Sequence, residues 1–316
     1  MSKFDKNPTV VDVTIRDGGY LNGWKFETET IVNMAKQLSQ VGVDVIEVGY
    51  LHSDTNKPLA LQCPKDYLEL MRNTMRPETK LGVMLRSDDE HYQSMLEQTA
   101  EYIDLIRIAC TEDAFDEELE MAVNVRKFNI PCSINFTSIT SFTPDEVLEM
   151  LNKVIQKDCA DMLYIADSRG TLRPEPAADL FALLRSNWDK HLGFHGHNNQ
   201  GFAIPNVQAA LNNGADFIDG AIKGYGFGGG NTQLLQLIDV LKDIRPDIQV
   251  GDVDVNNLMH LDNNPEYAFL FPYSGQKNLE QNWAEMIWDK YGDDSLDFIK
   301  SLPDNKLNKQ LSDVGI

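Results

Sequence analysis

Two histidines one residue apart, His195 and His197, stand inside the apolar run "HLGFHGHNNQGFAIPNVQAALNNGAD" (191–216), whose start reads as a strand. In a strand, residues i and i+2 share a face with Cα atoms roughly 6.5–7 Å apart, so both imidazoles can reach one divalent cation at about 2.1 Å. The pair is a weak signal alone, because two hydrogen-bonded core histidines have the same spelling. An aspartate at the end of another strand, aimed at the same point, makes a His–His–Asp set. With open positions it suits Mn, Mg, Zn or Fe and leaves room for a chelating substrate. Asn231, after a glycine run, can add a neutral oxygen, and Asn198 and Asn199 are expected to orient the imidazoles. The run "GYGFGGG" spells G-x-G-x-x-G at Gly224, Gly226 and Gly229. It falls in the last β-α unit, too late to build a dinucleotide fold, and reads instead as a backbone wall close to a ligand.

These residues need a scaffold, and the chain spells one. Eight short apolar runs, at 9–15, 44–50, 80–86, 102–109, 130–136, 162–167, 191–197 and 216–222, recur about once per β-α unit. Amphipathic segments lie between them. "ETETIVNMAKQLSQVG" ends in Gly42, a helix stop, and "FTPDEVLEMLNKVIQ" begins with Thr143 as cap and Pro144 at the first helical position. Eight such units predict an α/β fold, a (βα)8 TIM barrel over residues 1–244, since a closed parallel barrel takes about 250 residues. Residues 245–316 break the rhythm and predict a short, mainly helical extension. Its Trp283, Met286, Ile287 and Tyr291 form an apolar stripe for the barrel or for a second copy of the chain in a homodimer.

In such a barrel the side chains at the C-terminal strand ends converge on one site. Those ends offer Arg16, Asp17 and Tyr20; Glu47, Tyr50 and His52; Arg107; Asn135 and Thr137; Asp167 and Ser168; and the two histidines. Arg107 and Thr137 are candidate substrate contacts.

The chain has 316 residues with a formal net charge of -21, which argues against nucleic acid and anionic membrane as partners. An anionic substrate needs local cations or a metal against that field. Cys63, Cys110, Cys132 and Cys159 lie far apart with no C-x-x-C pair and read as buried thiols. The start "MSKFDKNPTV" has no apolar segment of leader length, and no run approaches a membrane span, which predicts a cytoplasmic protein.

"VTIRDGG", "IEVG", the histidine segment and "GYGFGGGN" arrive in an order that resembles the DRE-TIM metallolyases, the superfamily with an HMG-CoA lyase-like (pyruvate carboxyltransferase) domain. The resemblance runs from about residue 10 to 242 and is nearest the 4-hydroxy-2-oxovalerate aldolases. It implies a (βα)8 barrel with a divalent metal, manganese or magnesium first and zinc or cobalt next. Its ligands would be Asp17, His195 and His197, with Asn231 as a fourth. It further implies that Arg16 holds an enolate oxygen, that Glu47 orients or pairs with Arg16, and that Ser168 contacts the substrate carboxylate.

The implied chemistry makes or breaks a C–C bond of a 2-oxo acid through a metal-bound pyruvate enolate, with an aldehyde as the other fragment. Two alternatives are a Claisen-type condensation of an acyl-CoA with a 2-oxo acid and a metal-binding homologue without turnover. The pattern departs from the aldolases at the third residue after the metal aspartate, where their histidine base is replaced by Tyr20. A phenol, with an ordinary pKa near 10, is a poor base at neutral pH. Glu47, His52, Tyr20 and Tyr225 are the candidates for moving the second proton. The differing C-terminal segment gives no ground for carrying over the aldolases' dehydrogenase partner.

Overall fold

The computed structural model describes residues 7–261, 265–304 and 307–315. Most of the leader reading, residues 1–6, lies outside them. Eight strands close into a parallel barrel in chain order, β1 beside β8. They are β1 (Thr9–Asp12), β2 (Val45–Tyr50), β3 (Lys80–Leu85), β4 (Leu105–Cys110), β5 (Cys132–Phe136), β6 (Met162–Asp167), β7 (His191–Gly196) and β8 (Phe217–Gly220). The helices between them are α1 (Thr28–Val41), α2 (Lys65–Thr74), α3 (Tyr92–Thr99), α4 (Phe115–Val125), α5 (Pro144–Lys157), α6 (Pro174–Asn187), α7 (Ala203–Asn212) and α8 (Leu234–Leu241). The predicted (βα)8 TIM barrel is what the chain forms.

Period-two alternation sorts each strand between two cores. One set of side chains packs under the helices; the other, including Val11, Val45, Leu105, Met162, Tyr164 and Phe217, fills the barrel. Filling is tight. A Cβ on Gly193 would lie 2.4 Å from the Tyr164 ring, so glycine makes room there for an aromatic plug.

Helix ends follow the local signals. Gly42 closes α1 in the left-handed region (φ 94). Thr143 opens α5 with a capping box, its Oγ1 accepting from Glu146 N while Glu146 accepts from Thr143 N. Thr143→Ala is expected to cost about 1 kcal/mol, read as a lower urea midpoint with an unchanged denaturant slope.

Four strands, β1, β4, β5 and β8, are shorter than their apolar runs by two residues or more, and local hydrogen bonds explain the first two. The first run continues to residue 15, but Asp12 turns the chain by accepting from Thr14 N (3.0 Å) and Thr14 Oγ1 (2.9 Å). The run at 102–109 begins as a 3-10 turn, so β4 starts at Leu105.

After α8 come α9 (Phe271–Gln276), α10 (Gln281–Tyr291) and α11 (Ser295–Ser301), with their own apolar cluster around Leu270, Leu279, Trp283, Ile287 and Ile299. Trp283 and Ile287 spend the predicted stripe inside this cluster. Tyr291 stacks on Phe298 with centroids 4.4 Å apart, whereas Met286 faces outward, 42% exposed. Polar ties hold the segment to the barrel: Arg169 Nη1 donates to Asn278 O (2.8 Å) and Thr171 Oγ1 to Gly275 O (2.8 Å). All four cysteines are free and buried. Among the described residues no helix is long and apolar enough to cross a membrane.

Candidate active site

A cavity of about 370 Å³ opens at the C-terminal ends of the strands. Asp17, His195 and His197 share its wall, their ligand atoms all within 4.8 Å of one another. Local structure brings each there. Asp17 N bonds Val13 O (2.8 Å), a tight turn that swings its carboxylate over the mouth. The histidines lie at i and i+2 at the end of β7 and share a face as the spacing requires.

The residues fit a cation. His195 Nδ1 lies 2.9 Å from Asp219 Oδ2 and His197 Nδ1 lies 3.1 Å from Phe227 O. Each acceptor fixes its ring's proton on Nδ1, so both Nε2 atoms present lone pairs, and those atoms are 3.2 Å apart. Two lone pairs at that separation repel unless a positive charge sits between them. Asn231 supports the same reading: its Nδ2 donates to Asp17 Oδ2 (2.6 Å) and Tyr225 O (3.0 Å), leaving Oδ1 buried without a partner. An unsatisfied buried carbonyl is costly, and coordination would satisfy it.

The glycine run closes over this centre. Phe227 N donates to Asp17 Oδ2 (3.2 Å), and a Cβ on Gly226 would lie 2.2 Å from Asn231 Nδ2 and 2.6 Å from Asp17 Oδ2. The run is a wall, not a nucleotide loop. Gly226→Ala is expected to weaken metal binding by at least ~10-fold by displacing both groups, on the scale of lost ligand-orienting contacts. Metal titration followed by calorimetry checks it.

Beneath the mouth lies a chain of buried charges. Arg16 Nε donates to Glu47 Oε2 (2.6 Å) and its Nη1 to Asp17, leaving Nη2 without a carboxylate partner among the described residues. Arg107 then joins Glu47 Oε2 (3.3 Å) to Asp219 Oδ2 (2.7 Å), the carboxylate that holds His195. Its guanidinium stacks 4.1 Å from the Tyr164 ring centroid. Alternating sign around this chain offsets part of the cost of burying it.

The family model for HMGL-like proteins matches residues 7–264. This chain belongs to the HMGL-like family. The family is divalent-metal-dependent, and the relatives of this chain within it include carbon–carbon lyases acting on 2-oxo acids. Among its relatives, the 4-hydroxy-2-oxovalerate aldolase of Thermus thermophilus is 34% identical over 246 residues, covering 75% of this chain and 69% of that protein. The oxaloacetate decarboxylase of Mycobacterium tuberculosis is 29% identical over 247 residues, covering 77% and 72%. The crystal structure of the N-terminal domain of a Bacteroides vulgatus protein shares the fold, with a TM-score of 0.79 at 24% identity over 93% of this chain and all of that one.

In this HMGL-like chain the cavity gathers part of the expected set. Arg16, Asp17, Tyr20, Thr137, Ser168 and both histidines line it. Ser168 Oγ accepts from Ser138 N (2.9 Å), which leaves its O–H for a ligand. Thr137 donates to Cys110 O (2.6 Å) and can offer the cavity only a lone pair. Tyr20 stacks on Phe227, its hydroxyl 3.4 Å from that of Tyr50.

Other expectations need correcting. Arg107 is fully buried below the floor and does not line the cavity, since its strand position points into the barrel. Glu47 is also absent from the cavity wall, which rules it out as a base there, while its Oε2 accepts from Arg16 Nε (2.6 Å), the pairing the resemblance implies. His52 turns outward, where its Nδ1 accepts from Asp54 N (3.0 Å). Tyr225 turns toward Leu261, whose N donates to its hydroxyl (3.2 Å). Asp167 accepts from the Thr171 and Leu172 amides (3.0 and 3.1 Å) and shapes a loop. Asn198 and Asn199 do not orient the imidazoles: Asn198 accepts from Ala203 N (3.2 Å), and Asn199 bonds Gln281 and Gly229 N. Asp219 and Phe227 hold the rings instead. Asp219 stands in "FIDG", i+2 from the barrel-filling Phe217 and so inward-facing, a signal that period-two reading of β8 could have supplied. Glu280 and Gln281, also on the cavity wall, come from the extension and carry no such signal.

Burial pushes the His197 imidazole down from 6.5 to about 4, helped by His195 and Arg16 against the pull of Asp17. Between those values the unfolded chain takes a proton that the folded chain declines. Stability from this residue is therefore whole above pH 6.5 and is lost as pH falls toward 4. Asp12 and Asp167, both pushed up to about 7 by burial, act with the opposite sign, so the readout is a difference. Metal-free wild type is expected to lose on the order of 2–3 kcal/mol over this window relative to His197→Gln, measured by urea unfolding at each pH.

Proposed function

We propose that the protein is a metal-dependent aldolase-type lyase that makes or breaks the C3–C4 bond of a 4-hydroxy-2-oxo acid, with pyruvate as one fragment. The observation that carries this reading is the pair of facing Nε2 lone pairs beside Asp17, Arg16 and Ser168 in one cavity. The likeness to the Thermus 4-hydroxy-2-oxovalerate aldolase supports it.

A manganese or magnesium ion held by Asp17, His195, His197 and the Asn231 carbonyl would polarise the substrate's carboxylate and keto oxygens and stabilise charge developing there. Arg16 presents Nη2 to the enolate oxygen as charge builds. Ser168 donates its hydroxyl to the carboxylate. Tyr20, the one of the four candidates on the cavity wall, accepts the proton of the C4 hydroxyl as its own phenolic proton passes to solvent, its hydroxyl 3.4 Å from that of Tyr50. The extension adds Glu280 and Gln281 to the cavity wall, which supports reading residues 245–316 as a structural partner of a catalytic 1–244 barrel. Four free thiols suit a reducing, cytoplasmic compartment.

The test is metal analysis with a screen of 2-oxo acids for methyl-proton exchange in deuterated water, since exchange reports enolate formation without a second substrate. Manganese- or magnesium-dependent exchange of pyruvate is expected. Equal exchange in chelator-treated buffer, or none with any metal, refutes the reading. Tyr20→Phe is expected to lower aldol kcat by about 10²–10⁴-fold while pyruvate still binds, seen as a kcat effect without a matching KM change. The relative that decarboxylates oxaloacetate favours one variation on the same enolate, with carbon dioxide as the leaving fragment.

A further inference from the structure

Arg86 follows directly on β3, four strands from β7 in a closed ring of eight, so it faces the paired imidazoles across the mouth. It lines the same cavity. Its Nε lies 3.9 Å from Asp88 Oδ1, too far for a hydrogen bond, and its terminal nitrogens meet no carboxylate among the described residues. Asp88 itself lines the wall beside Arg86 without a hydrogen bond to it, and the remaining charged groups there are committed. Arg16 is held by Asp17 and Glu47, and Glu280 accepts from Arg169 at 2.7 and 2.9 Å. Glu118 accepts from Thr111 N (2.8 Å) and Ser87 Oγ (3.2 Å). Arg86 therefore offers the cavity an open guanidinium fork, the geometry that carboxylates take in bidentate fashion.

Direction matters as much as charge. A 2-oxo acid oriented by Ser168 and Arg16 runs its far end away from β6 and β7. Tyr20 and Tyr50, which face the C4 hydroxyl in the proposed reaction, are electrostatic neighbours of Arg86. The group that Arg86 meets is thus the substituent on C4. In a chain of net charge -21, an anion there needs a local cation, and this is the cation in place.

Resting on the lyase reading above, we infer that Arg86 receives a second carboxylate, so that the substrate class is a 4-hydroxy-2-oxo dicarboxylic acid. In cleavage the C4 hydroxyl proton passes to the Tyr20 oxygen while the phenolic proton of Tyr20 leaves to solvent at the open cavity mouth. The C3–C4 electron pair moves to C3 as pyruvate enolate, C4 becomes the carbonyl carbon of an anionic oxo acid such as glyoxylate, and C3 then takes a proton from solvent. No oxidant or reductant is required.

A matched pair tests this: 4-hydroxy-2-oxoglutarate and 4-hydroxy-2-oxovalerate have five carbons each and differ in a terminal carboxylate or methyl. The wild type is expected to favour the dicarboxylate in kcat/KM by about 10-fold or more. Arg86→Leu should reverse or erase that ratio, with a loss of about 10–100-fold on the dicarboxylate alone, and Arg86→Lys should keep part of it. Equal or better use of the methyl compound by the wild type, or a variant that lowers both substrates alike, overturns the assignment. Pyruvate exchange by the wild type without a dicarboxylate preference sinks the Arg86 role and spares the lyase. Absence of exchange sinks the lyase, and calorimetry with manganese then judges Arg86 alone: 2-oxoglutarate must bind more tightly than 2-oxovalerate, and lose that margin in Arg86→Leu.

Discussion

Asp17→Ala is expected to remove metal-dependent exchange of pyruvate by at least ~10³-fold, about 4 kcal/mol of transition-state stabilisation. The carboxylate does three things at once. It supplies a ligand oxygen next to two imidazoles, it holds Arg16 Nη1, and it accepts from Asn231 Nδ2 and Phe227 N. Burial alone would raise its pKa, yet Arg16, both histidines and Asn231 hold it well below the usual carboxylate range, so it is ionised throughout the working range. Asp17→Asn separates the roles, because an amide keeps a ligand oxygen but brings no charge. It should bind metal more weakly than wild type and more tightly than Asp17→Ala, measured by elemental analysis after dialysis against a graded metal buffer. Full occupancy and full exchange in Asp17→Ala would end the proposed metal assignment.

Asp219→Ala should be the most destabilising single change near the site. It leaves Arg107, fully buried, with Glu47 as its remaining carboxylate at 3.3 Å, and it frees the His195 ring to take either tautomer. Breaking one side of a buried ion pair costs about 3–5 kcal/mol, and loss of a contact that orients a ligand histidine costs about 10–100-fold in metal affinity. The two losses have different cures. Asp219→Ala with Arg107→Met removes the stranded charge and should recover much of the urea midpoint, whereas the metal affinity should stay low. Recovery of both together would mean that Asp219 acts on His195 through general stability and not through its ring proton.

Much of the architecture was legible because its causes are local. Alternating apolar runs, Thr143–Pro144 at a helix start and Gly42 at a helix stop each act within a few residues, and each appears where expected. The pairing of the two histidines was legible for a similar reason, since His195 and His197 share a face through strand geometry alone. Asn198 and Asn199 were misread because adjacency along the chain says little about which way a loop folds; they pack toward α7 and the extension instead. Arg107 was misread for a related reason. A strand-end list does not tell the layer of side chains that faces the cavity from the layer below it.

The order of residues along the polypeptide settled the repeat of eight β-α units and the shared face of His195 and His197 on β7, both properties of short-range periodicity. Tertiary structure alone decided the partners across the barrel: Asp219 on His195, Arg107 between two carboxylates, and Glu280 and Gln281 on the cavity wall. It likewise decided that Arg86 stands opposite the histidines. Closing the ring sets those distances, and a buried charge takes whichever opposite charge the closure brings within reach, however far apart the two lie in the chain.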